Sequence, residues 1–179
     1  MPSPPVREDL ELIEELAARR GPFGGQLVDV ETGRPIACAT VAAVWWDQYP
    51  LGLKFYDARE AISGEDGRFE IPRLDIPLTK LSVGAPQLHF LAPGYLPPGY
   101  YTTPGEPASA AHIIRYRVTP PEGQPFVAPT VVPMRRIRTG EEWCDYKHAA
   151  TLSVMVPTDK IPRYREVLRN EEPSHGPCR

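Results

Sequence analysis

Prolines and glycines interrupt this chain at short intervals, 23 of the one and 14 of the other among 179 residues. Proline removes a backbone donor and fixes φ, so long helices and long unbroken strands cannot dominate such a sequence. What remains is a set of short elements separated by turns, which argues against a helical bundle. The length bounds the chain to one domain of ordinary size plus some additional structure. Hydrophobic residues make up 41% and charged residues 24%, a balance that can bury a core.

The formal net charge of −3 gives no broad basic field. Nucleic acid and anionic lipid are therefore set aside as partners. No run of about 20 apolar residues is present, so no spanning helix and no direct membrane insertion are expected. Met1 to Arg20 lacks the apolar centre of a signal peptide, which leaves either a cytoplasmic protein or a mature form numbered after processing. The three cysteines, Cys38, Cys144 and Cys178, match no zinc or haem spacing and permit at most one internal bridge.

Along the chain, Val6 to Arg20 places Leu10, Ile13, Leu16 and Ala17 on one stripe. Acidic residues come early and Arg19 and Arg20 late, which predicts a peripheral helix ending at Gly21. From Gly25 the pattern turns to strands: Gln26 to Val30, then Cys38 to Trp46, whose two apolar faces mark a central, buried strand. Ala58 to Ser63 leads through Gly64-Glu65-Asp66-Gly67 into Arg68 to Ile71 and reads as a hairpin. Further strands are expected at Lys80 to Val83, Leu88 to Ala92, Ile113 to Val118 and Phe126 to Val132. Thr139-Gly140-Glu141-Glu142 has the form of a capping box and opens a helix to about Val154. A shorter helix follows at Ile161 to Asn170 with Pro162 in its first turn. The expected fold is mainly β, an antiparallel sandwich of about seven strands with an N-terminal helix and one or two C-terminal helices. The expected divisions are an arm at 1–23, the sandwich at 24–135 and a helical appendage at 136–179. Val41, Ala43, Phe69, Ile71, Leu81 and Val83 are the expected core, and the helices should lie outside it.

Gly25-Gln26-Leu27-Val28-Asp29, Thr32-Gly33-Arg34-Pro35-Ile36, Ala39-Thr40-Val41, Ala58-Arg59-Glu60-Ala61 and Asp66-Gly67-Arg68-Phe69-Glu70-Ile71-Pro72 together resemble the carboxypeptidase regulatory-like domain. Pro93-Gly94-Tyr95 resembles the turn that closes a strand in that family. The likeness covers about Gly24 to Tyr95. It implies a prealbumin-like sandwich, periplasmic or extracellular in bacterial members, used as a structural or adhesive module and carrying no catalytic residues. The same run also resembles intradiol ring-cleavage dioxygenases, which hold non-haem iron with two tyrosines and two histidines. Where that family has its histidine pair, this chain reads Gln87-Leu88-His89, so one ligand is missing. His89 with Tyr56, Tyr95 or Tyr100 then makes a poor site.

Other chemistry has little support. His112, His148 and His175 are scattered, and no nucleophile elbow or phosphate-cradling glycine loop occurs. Asp47, Asp57, Asp66 and Asp75 read as loop residues explained by turn chemistry, not by the spacing of a calcium loop. No cofactor or metal is expected. The aromatic residues are more informative. Trp45, Trp46, Tyr49, Phe55 and Tyr56 crowd one strand–loop segment, and Tyr95, Tyr100 and Tyr101 crowd another. Pro50, Pro97, Pro98 and Pro104 restrict the loops Trp46–Tyr56 and Tyr95–Pro104 before any binding. Of the adjacent tryptophans one should point to the core and the other away. The expected function is a non-catalytic accessory module docking onto a larger protein assembly, with a glycan-binding module and an atypical iron dioxygenase as the alternatives. In an exported protein Cys144 and Cys178 are expected to bridge as the tail folds back, with Cys38 a buried thiol in its strand.

Overall fold

The computed structural model describes residues 19–98, 130–150, 155–171 and 178. Among the described residues seven strands form two sheets: β1 (Phe23–Asp29), β4 (Arg68–Ile71), β7 (Thr130–Arg136) and β6 (Tyr95–Leu96) in one, and β3 (Gly52–Ile62), β2 (Thr40–Tyr49) and β5 (Gln87–Leu91) in the other. Their spatial orders are β4-β1-β7-β6 and β3-β2-β5. Two helices follow, α1 (Gly140–Ala150) and α2 (Pro162–Asn170), with a single 3-10 turn at Thr158–Lys160 before α2. The chain is thus mainly β, with the two sheets facing across a shared core in a sandwich-like arrangement.

The alternation within β1 and β2 explains the layering. On β1, Phe23 and Leu27 are buried, and they meet Phe69 and Ile71 of β4 and Val132 and Met134 of β7. Val41, Ala43 and Trp45 of β2 close this core from the other sheet, together with Phe90. The intervening residues of β2, Ala42 and Val44, point the opposite way into a second core with Trp143, Tyr146 and Ala150 of α1 and Ile161 and Tyr164 at the start of α2. Strand β2 is apolar on both faces because each face is covered: one by the other sheet, one by the helices. The helices lie outside the space between the sheets and build a core of their own against the outer face of β2.

Side-chain caps hold these layers in place. Thr139 Oγ1 accepts the Glu142 N–H at 3.2 Å, while Glu142 accepts from the Arg138 N–H at 2.8 Å and from Arg135 Nη2 at 2.7 Å. That satisfies donors at the start of α1. The Tyr146 hydroxyl donates to the Phe90 carbonyl and the Tyr164 hydroxyl to that of Ala150 at 3.1 Å, tying α1 to β5 and α2 to α1. Cys144 and Cys178 form a disulfide with Cα atoms 5.4 Å apart, against the same core.

Several expectations are corrected. The sandwich is not wholly antiparallel, because β1 pairs with β7 in parallel register from Gly25↔Thr130 to Asp29↔Met134. The glycine turn after β3 does not make a hairpin: β3 pairs with β2, while β4 pairs with β1 in the other sheet. The turn carries the chain between layers. Lys80 to Val83 is no strand but a turn held by one bridge between Asp47 and Val83, and Leu81 is 76% exposed. Cys38 precedes β2 with φ of 58° and is exposed, because the strand begins only at Thr40. Asp47 and Asp57 lie within β2 and β3, not in loops. The strand expected at Ile113 to Val118, most of that at Phe126 to Val132, and the helix expected at Val6 to Arg20 except Arg19 and Arg20 fall outside the described residues.

Candidate functional site

The segment from Trp46 to Tyr56, expected as a restricted loop, is almost entirely strand. Tyr49 pairs with Gly52, so Pro50 and Leu51 alone make the turn between β2 and β3. Proline suits the first central position of such a turn because its ring fixes φ near the value required. Leu51 follows at the apex and is fully exposed, with Tyr49 and Leu53 about half exposed beside it.

This tip is braced. Asp47 is buried and its Oδ2 accepts from Lys80 Nζ at 2.7 Å and from the Tyr49 hydroxyl at 2.8 Å. The Lys80 ammonium, then the Ser82 hydroxyl, hold the Asp47 carboxyl down at about 2 against its burial. The Gln48 N–H donates to the Ser82 carbonyl at 2.9 Å, so the segment carrying Leu78 and Leu81 lies along the base of the hairpin. That segment is itself tied down by arginine. Arg19 Nε donates to the Val83 carbonyl at 2.6 Å and its Nη2 to that of Lys80, while Arg20 donates to that of Ile76. Leu78 and Leu81 extend the exposed apolar surface.

The aromatic candidates separate. Trp45 is wholly buried, packs on Phe23 with ring centroids 6.0 Å apart and donates its indole N–H to the Arg19 carbonyl at 2.6 Å. It cannot be a docking residue, which corrects its place among the binding candidates. Trp46 turns to the helical side, meets Phe55 edge-on at 6.2 Å and donates to Gln87 Oε1 at 3.0 Å. Tyr56 packs against the core between the sheets. Tyr95 does so too, and its hydroxyl lies 3.1 Å from Asp29 Oδ2, which also accepts from Arg136 Nε at 3.0 Å. Burial pushes the Asp29 carboxyl up, but the Glu31 amide, the Arg136 guanidinium, the Thr32 amide and the Tyr95 hydroxyl together hold it below its ordinary value. That cluster stitches the end of β1 to β6 and β7. Tyr100 and Tyr101 lie outside the described residues.

His89 pairs across the ladder with Ala42 and so faces the helices, where its ring lies 6.4 Å from that of Tyr164. Tyr56 and Tyr95 pack into the core on the opposite face of that sheet. The imidazole and these two phenols do not converge, and no group of three metal-binding side chains occurs among the described residues.

No family model, curated protein or solved structure matches the chain.

Proposed function

We propose that this protein is a non-catalytic accessory module that docks onto a protein partner through the β2–β3 tip. The observation that carries this reading is Leu51, fully exposed at the apex of a two-residue turn whose base is held by Asp47, Lys80 and Arg19. Pro50 fixes φ at the first central position and neither Pro50 nor Leu51 has positive φ, so nothing in the turn's geometry calls for leucine at its apex. Apolar side chains grouped in the open on a rigid scaffold mark a protein-interaction surface, and here Tyr49, Leu53, Leu78 and Leu81 are exposed together with Leu51. The two facing sheets and the glycine turns support a prealbumin-like sandwich of the carboxypeptidase regulatory-like type. The Cys144–Cys178 disulfide supports a place outside the reducing cytosol.

The glycan reading has less support, since stacking on a sugar needs an open aromatic face. Trp45 is buried and Trp46 is engaged by Phe55 and Gln87. The dioxygenase reading is weakened by the separation of His89 from Tyr56 and Tyr95 across the sheet.

The test is gel filtration of gentle native extracts containing wild-type protein or Leu51→Asp. Wild type should run in an assembly larger than the single chain, and the variant should fall to monomer size. Identical large assemblies for both, or a monomer for the wild type, would contradict the docking reading.

A further inference from the structure

We propose that a cleft on the β3 side of the molecule binds a small phosphate monoester through Arg59, Arg73 and Lys160. The cleft has a volume of about 420 Å³ and is built from three separate parts of the chain: Tyr56, Asp57 and Arg59 on β3, Arg73 to Asp75 in the segment after β4, and Lys160 at the end of the 3-10 turn. Asp57 forms its strut. Its Oδ1 accepts from Lys160 Nζ at 3.0 Å and from the Ala58 N–H at 2.9 Å, and its Oδ2 lies 3.1 Å from Arg59 Nη1. A carboxylate only 16% exposed thus holds two cations from distant parts of the sequence side by side.

The charges do not cancel. Asp57 is shared between two cations, and Asp75 stands almost fully in water 3.9 Å from Arg73 Nε, too far for a hydrogen bond. Three cations against two carboxylates leave the lining one positive charge in surplus, within a chain of net charge −3. Attraction of an anion here is therefore local and not a property of the whole surface. Donors are in surplus as well. An ammonium has three N–H groups, of which Lys160 commits one to Asp57, and guanidinium has five. Among the described residues Arg59 hydrogen-bonds through Nη1, and Arg73 makes no hydrogen bond.

Cations arriving from three elements suit a tetrahedral group with three terminal oxygens. A carboxylate, with two coplanar oxygens, is matched by a single guanidinium fork. The space exceeds that of phosphate alone, and charged side chains from three parts of the chain make up most of its lining. A phosphorylated polyol or sugar fits that chemistry better than a nucleobase does.

The test is a titration of the intact, oxidised protein followed by amide NMR at low salt, using inorganic phosphate, glycerol 3-phosphate, glycerol and acetate as probes. Saturable shifts at Arg59, Arg73 and Lys160 are expected with both phosphate compounds. Glycerol 3-phosphate should bind at least as tightly as phosphate, and neither glycerol nor acetate should saturate. Arg73→Ala, which removes no hydrogen bond seen in the fold, should weaken phosphate about tenfold or more, the scale of one lost charged contact. Arg34→Ala, on the loop after β1, should leave it unchanged. Absence of saturable phosphate shifts, equal binding of acetate, or equal losses in the two arginine variants would overturn the assignment.

Discussion

Glu60 on β3 caps helix α2 across more than a hundred residues: its Oε1 accepts the Tyr164 N–H at 2.7 Å and its Oε2 the Arg163 N–H at 3.2 Å. The helix has no local cap, since Ile161 stands at the N-cap position and Pro162 has no N–H. A carboxylate brought by tertiary packing satisfies the free donors and suits the positive end of the helix. Glu60→Ala should lose about 1 to 2 kcal/mol in urea denaturation, and Glu60→Gln, which keeps one acceptor, should lose less. Unchanged stability in Glu60→Ala would show that the helical layer does not depend on this contact.

The turn between the sheets makes a second, sharper demand. Gly67 has φ of 74°, and a Cβ there would lie 2.5 Å from the Leu27 carbonyl oxygen and 3.1 Å from the Ile36 nitrogen, which belong to the chain it crosses. Gly33 has φ of 68° but open space around it. Both glycines relieve backbone strain, yet only Gly67 also permits a close approach. Gly33→Ala should cost about 1 kcal/mol, the left-handed penalty alone. Gly67→Ala should cost at least about twice that. Equal melting temperatures for the two variants would contradict the close packing at the crossing.

Acid sensitivity should begin with His89. Burial lowers its pKa from 6.5 to about 4, and its Nε2 has no hydrogen-bond partner among the described residues. The unfolded chain binds the proton first, so stability contributed by the neutral ring is complete above about pH 6.5 and is lost as pH falls towards 4. The loss is on the order of 3 kcal/mol. Asp47, held at about 2, adds its own loss only below about pH 4, as its carboxylate protonates in the unfolded chain first. Urea titrations should show a decline between pH 6.5 and 4 that His89→Leu flattens. The same slope in wild type and variant would assign that decline to other groups.

Much of the layering was legible in sequence. Phe69 and Ile71 alternate with Arg68 and Glu70 and lie as expected on β4, and the doubly apolar run before Trp46 marks the strand covered on both faces. Pairing was not legible, because Gly64 to Gly67 supplies turn chemistry that serves a hairpin or a crossing equally well. Only the partner strand, β1, distinguishes them. The burial of Leu81 was misjudged because Lys80 to Val83 has strand-like composition but a single bridge and no ladder. The exposed tip was half legible: the aromatic cluster drew attention to Trp45 and Trp46, while Leu51 carried no signal until Tyr49 was paired with Gly52. The cationic cleft had none, since Asp57 and Lys160 meet only through the tertiary fold.

The docking role rests on the β2–β3 tip, and site-specific photo-crosslinking in the native cell tests it most directly. A photoreactive residue placed at Leu51, which packs on nothing in the fold, should leave stability within about 0.5 kcal/mol of wild type. It should give one discrete heteromeric adduct, weaker at Leu53 and absent at Glu70 on β4. No adduct at Leu51, or the same adducts at Leu51 and Glu70, would contradict the tip as the docking element.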